Sequence, residues 1–88
     1  MMADKAKVLR LLKTARGQID GIIKMIEEDR YCIDISNQIM ASYSLLKKAN
    51  LEILEGHLSH CVSQSFENNS DSEEKIDEVI NLLKRMIQ

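Results

Sequence analysis

At 88 residues with a net charge of −2 and no proline, the chain makes one small domain, residues 1–88, whose core needs support from a metal, a disulfide or a partner chain. Three glycines and a 3% share of Phe, Tyr and Trp argue against a β-sheet protein and for an all-α one. No apolar run approaches the ~18 residues that span a bilayer, and the charged, amphipathic start is unlike a signal peptide; the expected location is the cytoplasm, where the two cysteines stay reduced.

The first predicted helix runs from about Asp4 to Glu28. Val8, Leu12, Ala15, Ile19, Ile22 and Ile26 recur at steps of three or four and form one apolar stripe. Lys7, Arg10 and Lys13 lie three apart on another face, which Lys24 roughly continues. Gly17 and Gly21 sit inside the pattern at a small cost in helix stability. The polar stretch Glu27-Glu28-Asp29-Arg30 marks an end without a strong breaker residue.

A second, long helix is predicted from about Tyr31 to Ser65. Ile39, Leu46 and Ile53 repeat every seven residues, and Ser42, Ala49 and Gly56 repeat every seven beside them. A row of large apolar residues next to a row of small ones suits close helix–helix packing. A helix of ~50 Å, at ~1.5 Å per residue, is too long for so small a globule to cover alone, which predicts a dimer or higher oligomer. After the polar loop Glu67-Asn68-Asn69-Ser70-Asp71, a short amphipathic helix carries Ile76, Val79, Ile80, Leu83, Met86 and Ile87. Ser70 with Glu73 fits a capping box. The expected protomer thus has three helices: medium, long and short.

Both cysteines and both histidines lie in Tyr31-Cys32 and His57-Leu58-Ser59-His60-Cys61. On a helix His57 and Cys61 are one turn apart and about 40° apart in azimuth, so both can reach one ion, whereas His60 points elsewhere. Cys32 is ~37 Å from His57 along a continuous helix and cannot join it within one chain. Two such helices packed antiparallel about a two-fold axis near Leu45 and Leu46 bring Cys32 of one protomer to His57 and Cys61 of the other. Two thiolates and an imidazole favour Cu(I), with Zn(II) possible if a fourth ligand exists. The plainer reading is two buried thiols acting as small hydrophobes. Tyr31, beside Cys32, is placed to donate a hydrogen bond to a sulfur ligand or to serve as filler.

Charge is uneven along the chain. Residues 1–18 carry Lys5, Lys7, Arg10, Lys13 and Arg16 against only Asp4, a segment able to meet phosphate or simply to face water. Three helices with so few aromatic residues offer no substrate cleft, no phosphate-binding loop and no helix-turn-helix signature, so the chain is not read as an enzyme and no catalytic residue is assigned.

The runs Arg16-Gly17-Gln18-Ile19-Asp20-Gly21-Ile22, Met25-Ile26-Glu27-Glu28-Asp29-Arg30-Tyr31-Cys32-Ile33-Asp34-Ile35, Gln38-Ile39 and Leu54-Glu55-Gly56-His57-Leu58-Ser59-His60-Cys61-Val62 together resemble the CsoR/RcnR family of bacterial metal- and sulfur-sensing repressors, over nearly the whole chain. The resemblance implies an antiparallel helical dimer, a homotetramer built as a dimer of dimers, and a repressor that releases operator double-stranded DNA when its effector binds. Cys32, His57 and Cys61 match the pattern of the copper-sensing branch. The persulfide-sensing branch keeps both cysteines but lacks the histidine, and is the alternative. Tyr31 matches a position that hydrogen-bonds the ligands, and Asp77 or Glu78 would supply an acidic partner from the third helix. Lys7, Arg10, Lys13, Arg16 and Lys48 are the residues expected at DNA. The family's basic run is thinner here, with Leu11 and Thr14 at two often basic positions and Lys48 where an arginine is common, which exchanges bidentate phosphate contacts for point charge.

Overall fold

The computed structural model contains three helices in sequence: α1 (Lys5–Glu27), α2 (Cys32–Glu67) and α3 (Ser72–Ile87). It describes the backbone of residues 1, 3–67 and 72–87, and the side chains of residues 1, 3–60 and 73–87. The expected capping box falls on Ser70, outside the described residues.

Helix α1 opens at Asp4, whose carboxylate accepts from the Lys7 backbone N–H at 3.2 Å and so satisfies one of the amides a helix start leaves unpaired. It closes without glycine or proline. Asp29 takes a left-handed φ of 53°, the Asp29 N–H donates to the Ile26 carbonyl at 3.1 Å, and the Arg30 N–H donates to the Met25 carbonyl at 3.0 Å. This paired closure is a Schellman motif, with an aspartate, one of the few side chains that tolerates the conformation, where glycine is usual. It turns the chain directly into α2, where the Ile35 N–H donates to the Tyr31 carbonyl at 3.1 Å.

Helices α1 and α2 form an antiparallel hairpin in constant register. Ala3 lies against Gly56, Lys7 pairs with Glu52, and Gln18 meets Ser42. Each pair of numbers adds to 59 or 60, so neither helix slips against the other along the seam. The seam buries Val8, Ala15 and Ile22 of α1 on Ser42 and Ala49 of α2. The small row of α2 admits α1 closely, as its spacing predicted.

The α1 stripe is displaced from expectation. Leu11, Gln18 and Met25 flank the seam and are half-buried, while Leu12, Ile19 and Ile26 remain 39%, 42% and 54% exposed. At ~100° per residue, Val8, Ala15 and Ile22 can pair with only one flanking row when α1 packs against a single helix. Contact with α2 selected the row containing Gln18. The other row, with Leu9 and Ile23, forms a second apolar face open to solvent.

Helix α2 has 36 residues, ~54 Å, and forms the spine. Helix α3 folds back on it: Val79 is 2% exposed, and Met86 lines a groove with Tyr43, Leu46, Lys47 and Asn50. Glu73 and Glu74 in its first turn and Lys84 and Arg85 in its last complement the helix dipole. Helix α3 packs on α2 and not on α1 among the described residues. The three helices therefore lie side by side in one layer of 57 × 28 × 12 Å, about one helix thick.

A single layer leaves much uncovered. The radius of gyration is 17.4 Å, against about 12 Å for a compact domain of this length. The chain exposes 6839 Å², whereas a compact monomer of its mass exposes about 5,300 Å².

Candidate metal centre

Cys32 is the first residue of α2, with a free and exposed thiol. His57 lies 25 residues further along the same unbroken helix and is half-buried. Cys61 belongs to the α2 backbone, and its side chain is outside the described residues. At ~100° per residue, Cys32 and His57 share a face to within about 20°, yet ~37 Å of helix separates them. Among the described residues no three His, Cys, Asp or Glu side chains gather within the chain. The plainer reading of Cys32 as a buried hydrophobe is overturned by its exposure, since Cys32 is turned about 100° away from the seam residue Ala49.

The same face of α2 carries Ile39, Tyr43 and Leu46, which are 50%, 62% and 43% exposed. The large apolar row and the ligand candidates thus share one strip beside the seam with α1, whose Tyr43 and Leu46 also line the groove against Met86 of α3. Tyr31, 68% exposed, precedes Cys32 at the head of α2. His60 is exposed and off this strip. Asp77 and Glu78 are exposed on α3. The antiparallel groove containing Met86 and Leu46 fixes the register of α3, so Asp77 stands at about the level of residue 55, within a turn of His57.

The basic residues are on a different side. Lys13 points almost directly away from the seam, with Arg10 about 60° to one side. Arg16 lies in the row of Leu9 and Ile23, on the apolar flank, which sequence spacing did not separate from the basic face. Arg10, Lys13, Arg16 and Lys48 are all exposed. The hairpin register puts Lys48 level with residues 11 and 12 of α1, hence beside Arg10 and Lys13. On α2, Lys48 is about 180° from His57, so basic side and ligand strip face opposite ways.

Lys7 is the exception within the basic set. Its Nζ lies 2.8 Å from Oε1 of Glu52, with the side chains 44% and 24% exposed. The hydrogen bond to Glu52 and the Glu52 charge raise the Lys7 pKa above its usual 10.5, helped by Glu55 and Asp4. The shift favours the charged amine, so Lys7 stays protonated through neutral pH and its side of the pair is lost as pH climbs through the raised value. Sequence reading missed Glu52 because Lys7 and Glu52 meet only through the hairpin register.

Gly56, the small-row residue immediately before His57, makes a close approach that periodicity does not reveal. A Cβ built there would stand 2.6 Å from the Ala3 Cα, so the N-terminal segment seats on bare backbone. Gly17 and Gly21, by contrast, have open space where a side chain would go.

The profile of the metal-sensitive transcriptional repressor family matches residues 4–85. The copper-sensing transcriptional repressor CsoR of Bacillus subtilis (strain 168) is 38% identical over 82 residues, spanning 93% of this chain and 80% of its own length. Its counterpart from Mycobacterium ulcerans (strain Agy99) is 42% identical over 80 residues, spanning 91% and 68%. The crystal structure of the copper-sensing repressor CsoR with Cu(I) from Geobacillus thermodenitrificans NG80-2 superposes with a TM-score of 0.82 at 32% identity, covering 100% of this chain and 94% of that one.

Proposed function

The chain belongs to the metal-sensitive transcriptional repressor family, and from that membership we propose a Cu(I)-responsive repressor, acting as one domain over residues 1–88. It binds operator DNA when metal-free and leaves it when Cu(I) is held by Cys32 of one protomer and His57 and Cys61 of another. Like its relatives it is a regulator and not an enzyme.

The observation that carries the site is the shared strip on α2. Cys32 and His57 lie on one face, too far apart for one ion, with Ile39 and Leu46 exposed between them. Antiparallel pairing of two such strips covers the apolar residues and brings the two ends together in the same act. The surface in excess of a compact monomer, about 1,500 Å², is on the scale an obligate dimer buries per chain. The second apolar face, Leu9, Leu12, Ile19, Ile23 and Ile26 of α1, supports further assembly of dimers into a tetramer.

Two thiols and one imidazole suit a soft monovalent ion, and Zn(II) would need a fourth donor. Bound Cu(I) supplies a soft positive centre that two thiolates and an imidazole from two chains can share. Tyr31 stands beside Cys32 to hydrogen-bond a thiolate, and Asp77 or Glu78 is level with His57 to orient its ring. Gly56 then passes displacement of His57 to Ala3, seated on it, and so to the first turn of α1. Arg10, Lys13, Arg16 and Lys48, with Lys7 at their edge, neutralise operator phosphates on the opposite side. Linkage requires DNA to weaken Cu(I) binding by the factor by which Cu(I) weakens DNA binding. No helix among the described residues is long and apolar enough to cross a membrane, and a repressor of cytoplasmic DNA acts in that compartment. The persulfide-sensing alternative, through Cys32 and Cys61, is not favoured, since the relatives are named as copper sensors.

Anaerobic Cu(I) titration, followed by release of a DNA duplex enriched by the metal-free protein from a random-sequence pool, tests this reading. Saturation at one ion per protomer with release of DNA is expected. Undiminished Cu(I) binding by Cys32→Ala would sink it.

A further inference from the structure

Glu52 stands outside both the ligand strip and the basic set, yet it makes the one long-range ion pair resolved between α1 and α2 among the described residues. It lies one turn after Lys48 on α2 and opposite Lys7 on α1, on the side of the hairpin where the basic residues gather. Asp4, Glu55, Gly56 and Ser59 line the same shallow depression. Asp4 is committed to capping its own helix. A phosphate approaching this edge meets a lysine whose amine already has an anionic partner at 2.8 Å, while Arg10 and Lys13 are exposed and make no long-range ion pair among the described residues.

We infer that Glu52 is a built-in competitor for DNA phosphate: it holds Lys7 in an intramolecular ion pair that DNA must break before Lys7 can join the contact. The inference rests on the proposed reading of α1 as a phosphate-binding surface and assigns a residue that tunes it. Two states follow for Lys7. Paired to Glu52, it fastens the first turn of α1 to α2 and contributes little to DNA. Released, it adds one phosphate contact per protomer at the DNA. An exposed pair of this kind biases the choice by a factor of at most about five. That is enough to tune affinity without abolishing it.

The experiment is a double-mutant cycle on the full-length metal-free protein, with anisotropy on the enriched duplex across a range of salt. Glu52→Gln is expected to tighten binding up to about fivefold per contacting protomer and to steepen the dependence of log affinity on log salt by up to about 0.9 for each lysine released. Lys7→Gln should cost less affinity in the native background than in the Glu52→Gln background, by up to about fivefold. In the Lys7→Gln background, Glu52→Gln should lose most of its gain. An equal gain in both backgrounds would mean a general loss of negative charge and would overturn the competition, as would no gain at all in a variant with an unchanged unfolding midpoint. Glu52→Asp, which keeps the charge but shortens the reach, should move in the direction of Glu52→Gln and guards against a folding defect in the first variant. An Arg10→Gln, Lys13→Gln variant separates the two levels. If it leaves the salt slope unchanged, the phosphate-binding surface itself is misplaced, and the inference falls with it. If it flattens the slope while Glu52→Gln does nothing, only the role of Glu52 fails.

Discussion

Ser42 Oγ donates to Gln18 Oε1 at 3.0 Å, across the middle of the seam between α1 and α2. Ser42 is 4% exposed and Gln18 half-buried, and the bond lets a polar pair mark the centre of an otherwise apolar hairpin. It also explains why the α1 row containing Gln18 packs inward while the row containing Ile19 does not: a small polar residue at 42 rewards an amide and would leave space beside a branched apolar chain.

Ser42→Ala should therefore destabilise the chain by about 1 kcal/mol, because Gln18 Oε1 keeps its place and loses its donor. Ser42→Leu should cost more, about 1–3 kcal/mol, by overfilling a contact built for small residues. Denaturant midpoints of the three proteins decide the order.

The ligand strip gives a sharper expectation about chain sharing. Mixed dimers of one Cys32→Ala chain and one His57→Ala chain should retain one intact Cu(I) site, since Cys32 of the second chain still meets His57 and Cys61 of the first. Homodimers of either variant should hold none. A site wholly within one chain predicts no binding in the mixed dimer either, so stoichiometry in separately tagged, purified heterodimers distinguishes the two.

Gly56→Ala should unseat the N-terminus. The added Cβ would stand 2.6 Å from backbone at Ala3, so Ala3 must move, taking strain onto the Lys7–Glu52 pair. Faster amide exchange at the start of α1 is expected. In a chain beginning at Asp4 the clash is gone, and the same substitution should stabilise α2 by up to about 1 kcal/mol, the usual gain of alanine over glycine in a helix. A gain of that size in the full-length chain would contradict the seating.

Asp29 holds the turn between α1 and α2 at a φ of 53°. Asp29→Gly should stabilise by a few tenths to about 1 kcal/mol, because glycine adopts this conformation without steric cost. Asp29→Val should lose about 1–2 kcal/mol and raise the rate of exchange at the Asp29 and Arg30 amides. Thermal unfolding of the two variants should move in opposite directions.

Much of this was legible in advance because helical periodicity is local. The absence of proline, the seven-residue spacing of the rows that begin at Ile39 and Ser42, and the charge order of α3 were enough to place three helices. The turn at Asp29 was only half legible, since aspartate is one of several residues able to take a left-handed conformation and nothing adjacent demanded it. The distance between Cys32 and His57 followed from residue count alone once the helix was known to be unbroken.

The sequence by itself determined the helices, the length of the spine and the separation of Cys32 from His57 along it, because rise and rotation per residue are fixed by the backbone. Only the tertiary structure decided which flank of α1 packs, that Ser42 answers Gln18, that Lys7 answers Glu52 and that Gly56 carries Ala3. Those facts depend on the register between two helices. Periodicity leaves that register open, because every shift by one heptad presents the same pattern, and the choice falls to the side chains that meet across the seam.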